Sequence, residues 1–418
     1  MMKRYTGLFL PSLLAVSMIF TEDVRAAAGS LDPTFGTEGV ATASFNSTFL
    51  VGDVIEQPDG KILVSNSYFP FQVARFEANG SLDTNFGDGG STNPFAPSNQ
   101  PASSAGAMAV LPDGRILVGT AVPCGAALVR LNPNGSLDSS FGSSGIASVC
   151  APAGFGLSGG PFLVQPDGKI LLGGTASQVN YRSSIFQTFL ARFNADGSLD
   201  NTFGTNGSIN VKGSQGVSAM ALLTTGDILT LNSSAIAQFS STGAQRASAT
   251  SGPIAVTAAS SFLRERIEPN GEYVLGVTVN EGIGRCHDYD SRVIRFTATG
   301  SVDTTFNRPS FDFVGEGGCS NSDVAGAIDI EADGKVVLAG RQGQTTANSA
   351  TNVLVRLNTD GSFDSGFGSG GFVFNNQPAG ANGYSAVLVQ NDGKILAVGT
   401  GLSGQNNSLV YLARYLAK

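Results

Sequence analysis

The sequence predicts an all-β fold, a seven-bladed β-propeller whose blades are four-stranded antiparallel sheets. Three observations predict it. A GSLD-type motif recurs along the chain, a hairpin turn recurs in step with it, and a short alternating strand precedes most GSLD motifs. The turns repeat about every 55 residues, a spacing typical of repeat architectures. Four-stranded units arranged radially make a propeller. A linear solenoid is the main alternative, but it would need polar capping repeats, and none is visible.

The GSLD motif is the first repeat signal. Copies begin at Gly29, Gly80, Gly135, Gly197, Gly300 and Gly361. The glycine follows a short turn and is expected to supply a positive φ angle, and the aspartate can accept backbone N–H groups two residues further on. A phenylalanine follows within a few residues, as Phe86 and Phe141 do, and is predicted to anchor the core.

Hairpin turns are the second signal. Asp-Gly or a related pair lies between two apolar runs, with turn glycines at Gly60, Gly114, Gly168, Gly226, Gly271, Gly334 and Gly393. Such pairs predict β-hairpins with type I′ turns, which need a positive φ at both central residues. The unit from residue 216 to 258 departs from the pattern. Its Gly226 and Asp227 stand in reversed order, and Arg246 replaces the GSLD aspartate.

The strand order predicts two different faces. Each repeat reads as an inner strand, a hairpin turn, a second strand, a long loop, a third strand such as Val73–Phe76, and an outer strand led by GSLD. Because antiparallel neighbours reverse direction, the short turns share one face and the long connections share the other. We name these the short-turn face and the long-loop face. Binding sites tend to lie on loops held by a rigid scaffold, so a ligand site is expected on the long-loop face.

That face offers few chemical groups. The predicted ligand-binding residues are Glu281, His287, Asp288, Asp290 and Glu316. His287 is the only histidine, and it is either a metal ligand or general base beside a carboxylate, or an ordinary surface histidine. No nucleophile-elbow, zinc-protease or phosphate-binding motif appears, so the sequence predicts no catalytic residue and no zinc site.

Calcium is the one cofactor that the sequence leaves open. The run from Asn194 to Asp200 resembles a short calcium-binding loop, because oxygen ligands alternate along it. The copy at Asn132 lacks the central acid, and a simple Asx turn explains every copy. No other cofactor is expected.

Residues 1–28 read as a secretory signal peptide, followed by the propeller domain at residues 29–418. A basic start at Lys3 and Arg4 precedes an apolar run over residues 8–20, and three alanines ending at Ala28 form a cleavage site. A membrane anchor is the alternative, but the run is short for a span. We therefore expect an exported monomer, periplasmic or extracellular, with no membrane span in the mature chain. The net charge of −8 disfavours nucleic acid as a partner.

Four cysteines predict two disulfides, because an oxidising compartment permits them. Cys124 and Cys286 each lie shortly before a third strand, and Cys150 and Cys319 lie near the end of the outer strand that follows. The start of one antiparallel strand neighbours the end of the next. The predicted pairs are therefore Cys124–Cys150 and Cys286–Cys319.

A recurring ion pair predicts how the ring closes. An arginine of the third strand and the GSLD aspartate lie eight residues apart in each regular unit, and both are lost together in the irregular one, which indicates a cross-strand contact. Asp32 has no preceding arginine, and Arg414 has no following aspartate. We therefore predict that residues 29–45 form the outer strand of the blade built from residues 383–416, with Asp32 beside Arg414.

The repeat resembles a known family. PDGKILLGG at residues 166–174 and LARFNADGSLD at residues 190–200 are similar to the delta-60 repeat, an uncharacterised β-propeller domain of bacterial exported proteins. The resemblance covers nearly all of residues 29–418. It implies a propeller fold, and it implies no established activity, cofactor or catalytic residue.

The predicted function is a binding or surface-interaction module for a protein or glycan. A propeller hydrolase or lactonase with its site at the channel mouth is the first alternative. A single histidine and inner strands with small residues such as Ala107 and Ala219 weigh against it. A calcium-stiffened structural scaffold is the second alternative.

Overall fold

The computed structural model describes residues 27–95, 105–180, 183–212, 216–231, 235–250, 261–267, 272–280, 289–297, 301–306, 310–311, 324–342, 351–376, 381–403 and 407–418. These residues form 28 strands and no helix, in agreement with the predicted all-β class. Accordingly, no helix in these ranges is long and apolar enough to cross a membrane. Most of the predicted signal peptide, residues 1–26, lies outside the described residues.

The described strands form seven four-stranded antiparallel sheets. The first strand, β1 (Val40–Phe45), belongs to the last sheet. Sheet I contains β2 (Val51–Glu56), β3 (Ile62–Asn66), β4 (Val73–Phe76) and β5 (Ser91–Thr92). Sheet II contains β6 (Met108–Val110), β7 (Ile116–Val122), β8 (Gly125–Leu131) and β9 (Ile146–Cys150). Sheet III contains β10 (Gly156–Val164), β11 (Ile170–Asn180), β12 (Ser183–Phe193) and β13 (Ser208–Val211).

Sheet IV contains β14 (Ala219–Leu222), β15 (Ile228–Leu231), β16 (Ala235–Phe239) and β17 (Gln245–Thr250). Sheet V contains β18 (Ser261–Ile267), β19 (Tyr273–Asn280), β20 (Tyr289–Phe296) and β21 (Ser310–Phe311). Sheet VI contains β22 (Val324–Ile330), β23 (Val336–Gln342), β24 (Thr351–Leu357) and β25 (Phe372–Asn375). Sheet VII contains β26 (Ala381–Val389), β27 (Ile395–Ser403), β28 (Asn407–Tyr415) and β1.

The hairpin turns differ from the predicted type I′ geometry. In sheet I, the N–H of Gly60 donates to Gln57 O at 2.9 Å, and the N–H of Gln57 donates to Lys61 O at 2.8 Å. Among the three turn residues only Gly60 has a positive φ, at 81°. This is a type I turn closed by a glycine bulge. Pro58 favours it, because the proline ring fixes φ near −65°.

Sheet IV keeps the same turn although its sequence departs from the pattern. Gly226 has a φ of 79°, and its N–H donates to Leu223 O at 2.8 Å. The interpretation that Gly226 and Asp227 are reversed is therefore wrong. The glycine occupies the usual turn position, and Asp227 occupies the position that Lys169 holds in sheet III.

The sheets contact one another mainly through their first strands. β2 contacts β6 and β26, β14 contacts β10 and β18, and β22 contacts β18 and β26, while β10 reaches sheet II through β7 and β8. Contacts therefore run from sheet to sheet and return from sheet VII to sheet I.

The N-terminal segment lies in sheet VII. β1 pairs antiparallel with β28, from Val40 opposite Ala413 to Phe45 opposite Ser408. Before β1, a single bridge joins Leu31 to Tyr415. The regular outer strand is thus shorter than the predicted segment of residues 29–45. Its buried side chains join a core cluster with residues of sheets VII and I.

Candidate functional site

Most of the predicted ligand-binding residues lie outside the described part of the chain. These are Glu281, His287, Asp288 and Glu316. The second predicted disulfide, Cys286–Cys319, also lies outside it. Asp290 lies in β20, where its backbone is opposite Val279. The clustering of these residues on the long-loop face stays a prediction.

The first predicted disulfide is confirmed. Cys124 and Cys150 are bonded, with their Cα atoms 4.7 Å apart. Cys124 lies in the loop between β7 and β8, and Cys150 ends β9 opposite Gly125. The bond therefore ties the outer strand of sheet II to the loop that joins its two middle strands, at the long-loop end of the sheet.

Two connections of sheet I carry exposed apolar side chains on the long-loop face. Leu50 ends the connection from β1 to β2, and Tyr68 and Phe69 lie in the loop between β3 and β4. Tyr68 is 53% exposed and Phe69 is 63% exposed, and Leu50 is also exposed. Large apolar side chains grouped on a surface are typical of interaction sites. We name these three residues the sheet I patch.

The buried side chain of Asn66 holds the two loops of this patch together. Its Oδ1 accepts the backbone N–H of Leu50 at 2.9 Å and that of Tyr68 at 3.0 Å. Its Nδ2 donates to Thr48 O at 2.9 Å and to Pro70 O at 3.0 Å. One amide therefore satisfies four backbone groups from both loops, and the loops present their apolar side chains on a preorganised support.

Sheet III also carries exposed apolar residues towards the long-loop face. β11 and β12 are both 11 residues long, so their hairpin is longer than the corresponding hairpins of sheets I and II. Ile185 and Phe186, close to its tip, are each 41% exposed. Nothing in the repeat motifs marked these two residues or the sheet I patch, because they lie in segments that do not recur.

A buried ionic cluster lies at the short-turn end of the regular sheets. In sheet I, Asp83 Oδ2 lies 2.7 Å from Arg75 Nε and 2.8 Å from Lys61 Nζ. The guanidinium of Arg75 also lies over the ring of Phe86, 4.4 Å from its centroid. One Nη of Arg75 donates to Pro133 O in the next sheet. The cluster therefore joins two strands of one sheet to a turn of the next.

The same arrangement recurs around the molecule. Arginine–aspartate pairs of this kind are Arg130–Asp138, Arg192–Asp200, Arg295–Asp303, Arg356–Asp364 and Arg414–Asp32. Each of these arginines also donates to a backbone carbonyl of a neighbouring sheet: Ala195, Ser241, Thr359, Ala417 and Ala78. These contacts explain the eight-residue spacing of arginine and aspartate in the sequence.

The cluster keeps its carboxylates ionised. Burial alone would raise the pKa of Asp83, but hydrogen bonds from Lys61, the N–H of Asn85 and Arg75 outweigh it and lower the pKa to about 2. A carboxylate with this pKa and these partners cannot serve as a proton donor near neutral pH. We therefore assign the repeated clusters to the scaffold.

Sheet IV carries a charge-swapped version of the cluster. Asp227 replaces the lysine, Gln238 replaces the arginine, and Arg246 replaces the aspartate. Arg246 Nε lies 3.0 Å from Asp227 Oδ2, and Gln238 Nε2 donates to the same oxygen at 3.0 Å. The unit that looked decayed in the sequence has therefore kept the contact with its charges exchanged.

The calcium-like loop of sheet III is held by protein contacts. Asp196 Oδ1 accepts the backbone N–H of Ser198 at 2.9 Å and its hydroxyl at 2.6 Å, which is an Asx turn. Asp200 Oδ2 is paired with Arg192 and Lys169. A calcium ion would have to displace these partners. Within the described residues, no group of three or more His, Cys, Asp and Glu could hold a metal ion.

A cleft of about 470 Å³ lies on the short-turn face between the turns of sheets VI and VII. It is lined by Glu331, Asp333, Gln390, Asp392 and Lys394, together with neighbouring backbone and residues 416–418. Burial raises the pKa of Glu331, whose Oε1 lies 3.1 Å from an Nη of Arg356. Sequence reasoning missed this cleft. The one feature of the sequence that points to the cleft is Glu331, which precedes the turn of sheet VI at a position where three other units have glutamine.

Comparison with protein families gives one match. Six segments match a family described as "Domain of unknown function (DUF5122) beta-propeller": residues 57–86, 111–141, 165–203, 288–306, 331–367 and 390–417. Comparison with curated proteins gives no match.

Several solved structures are weakly similar. A protein of unknown function from Bacteroides caccae is 13% identical, with a TM-score of 0.40, and the alignment covers 75% of this chain and 98% of that one. The periplasmic gluconolactonase PpgL of Pseudomonas aeruginosa is 13% identical, with a TM-score of 0.48 and coverages of 78% and 88%. YCF48 from Cyanidioschyzon merolae is 8% identical, with a TM-score of 0.44 and coverages of 89% and 98%. These similarities are too low to transfer an activity. The family match supports an uncharacterised β-propeller family, and the narrower delta-60 assignment stays a prediction.

Proposed function

We propose that this protein is an exported, seven-bladed β-propeller that binds a partner protein on its long-loop face. The sheet I patch is the observation that carries the proposal. Its side chains are large, apolar and exposed, and the loops that bear them are fixed by Asn66. Preorganised apolar side chains are the usual anchors of protein interfaces.

Contacts between sheets VII and I support a closed, seven-bladed ring. β1 provides the fourth strand of sheet VII, and Arg414 makes the contacts to Asp32 and Ala78 that the other arginines make within and between sheets. On the inner side, Glu56 of sheet I accepts the backbone N–H of Asn391 at 2.8 Å. Sheet VII is thus joined to sheet I through its third strand, which bears Arg414, and through the turn that follows its inner strand.

The disulfide and the leader sequence support export. The Cys124–Cys150 bond is of a kind that persists in oxidising compartments and is rare in the cytosol. The N-terminal basic start, apolar run and small residues have the order of a secretory signal peptide. We propose that the mature chain begins at Gly29 and functions in the periplasm or outside the cell.

The binding proposal is tested by site-specific photo-crosslinking in the producing cells. A benzophenone amino acid replaces Tyr68 in one variant and Phe374 in a control variant. Phe374 lies on the outer strand of sheet VI and is 49% exposed, close to the 53% of Tyr68, so the two probes are equally accessible. We expect a discrete cross-linked protein from position 68 alone, lost when Phe69 is also changed to Ser. Equal cross-linking at both positions, or none at position 68, would contradict the proposal.

Two further measurements separate the alternatives. If the protein binds a glycan array and Tyr68→Ser abolishes that binding, the partner is a carbohydrate and not a protein. Hydrolysis of sugar lactones above the uncatalysed rate, unaffected by Tyr68→Ser, would favour the lactonase alternative.

A further inference from the structure

One turn of the molecule is assembled from two distant parts of the chain. In sheet I, Glu77 to Gly80 form a continuous turn in which the N–H of Gly80 donates to Glu77 O at 2.8 Å. In sheet VII, the corresponding bond runs from the N–H of Gly29 to Leu416 O at 2.7 Å. Residues 416–417 therefore supply the first half of this turn, and Ala28 and Gly29 supply the second half.

The peptide bond between Ala28 and Gly29 is fixed on both sides. The carbonyl of Ala28 accepts the backbone N–H of Gly368 in sheet VI at 3.0 Å, and the nitrogen of Gly29 is the one bonded to Leu416. Gly29 is buried and has a φ of 88°, within the left-handed region. A Cβ atom at this position would lie 2.7 Å from Val373 Cγ2. The backbone here is a tight turn held between two sheets.

This is the bond that the proposed export would require to be cut. A protease that recognises small side chains would find Ala26 and Ala28 before the bond. Such an enzyme cuts a bond only when the segment around it is free to enter the active site. A bond within a folded turn is not free in this way. Locally unfolded or exposed segments are the ones that proteases cut.

We propose that Ala28–Gly29 is a processing site that is open only until sheet VII is completed, so that cleavage precedes ring closure. The inference rests on the proposed export. In the reaction, water adds across the peptide bond, Ala28 leaves with the new carboxylate, and Gly29 keeps the nitrogen as an ammonium group. That ammonium still donates to Leu416 O, while Gly368 exchanges the carbonyl of Ala28 for solvent. The cut chain therefore retains β1 in sheet VII.

The test uses the full 418-residue chain and a purified bacterial signal peptidase in detergent. The folded chain is compared with the same chain diluted from urea directly into the reaction. A matched variant carries a flexible Gly/Ser insert between Ala28 and Gly29, which keeps the recognition alanines and leaves Gly29 in its turn. We expect the folded chain to be cut about 100-fold more slowly than the folded insert variant, the separation expected for a site that opens only by local unfolding.

Each outcome decides a different statement. Cleavage of the unfolded chain and of the insert variant, with protection of the folded chain, supports the proposal. If the folded chain is cut as fast as the insert variant, protection by closure is refuted and the export proposal stands. If neither the unfolded chain nor the insert variant is cut at Ala28, the cleavage site and the export proposal are both wrong.

Discussion

Asp32 gives the most direct test of ring closure, because it joins the two ends of the chain. Its Oδ2 lies 2.8 Å from Arg414 Nε and 3.3 Å from Lys394 Nζ, and its Oδ1 accepts the hydroxyl and N–H of Thr34. Asp32→Asn keeps the size of the side chain and removes its charge. Depending on its orientation, the new amide presents either a neutral carbonyl or an N–H₂ group to the cations of Arg414 and Lys394. Arg414 is left buried without its counter-charge.

The expected loss follows from this burial. Breaking one partner of a buried ion pair costs about 3–5 kcal/mol. The unfolding entropy is about 2 cal/mol/K per residue, which amounts to roughly 0.8 kcal/mol/K for a domain of this length. Asp32→Asn should therefore lower the melting temperature by about 4–6 °C. Because sheet VII contacts sheets VI and I, the whole domain should melt in one transition.

Asp83→Asn is the matched control. Asp83 has the same kinds of partner, an arginine at 2.7 Å and a lysine at 2.8 Å, but all of them lie in sheet I, where the chain is continuous. We expect the two substitutions to lower the melting temperature by the same amount in differential scanning calorimetry. A normal melting temperature for Asp32→Asn beside a lowered one for Asp83→Asn would refute closure by the N-terminal strand.

Four more outcomes follow from the structure. Asp227→Lys should destabilise sheet IV by only about 1 kcal/mol, because its partner Arg246 is 57% exposed. Adding Arg246→Asp should restore the stability. A double variant that is no more stable than the single variant would show that the swapped pair is unimportant. Asp32 has a pKa of about 2 in the fold and about 3.9 when unfolded, so the stability from such aspartates should be complete only above about pH 5 and should be lost progressively as the pH falls to below about 2; urea titrations that show no change over that interval would contradict this. Replacing Cys124 and Cys150 by Ser should cost about 3.5 kcal/mol in the chain-entropy treatment of a 26-residue separation, and reduction of the parent protein should reproduce the loss. Excess chelator should leave the melting temperature unchanged. A lower melting temperature with chelator would favour the alternative of a calcium-stiffened scaffold.

The regular parts of the fold could be predicted because each signal occurs several times. One Asp-Gly pair is a modest indication of a hairpin, but the repeated spacing fixes the strand order. The turn type was wrong for a local reason. A two-residue turn at Asp59-Gly60 would need Pro58 to donate the backbone N–H that closes it, and proline has none, whereas its fixed φ suits the first central position of the type I turn that is observed. Comparison between repeats identifies what recurs, and it does not by itself describe backbone geometry.

In sheet IV the comparison between repeats failed because it included too few positions. Loss of the arginine and aspartate at Gln238 and Arg246 correctly indicated that the two positions contact each other, but the unit was interpreted as irregular. The missing observation was Asp227, which stands where five other units have lysine or arginine and supplies the negative partner. A charge exchange is invisible when two positions are compared and becomes clear when the third is included.

The repeats also explain why the candidate site was the hardest part to predict. A residue that recurs in most units has a structural role that most units share. In this protein the shared roles are turn geometry, core packing and contacts between neighbouring sheets. A partner that touches one region of the molecule selects residues that do not recur. Tyr68 and Phe69 have no equivalents in the repeat pattern, and Asn66, the side chain that supports them, has a counterpart in the sequence at Asn232 alone. The search for function should therefore begin where the internal similarity ends, on the long-loop face.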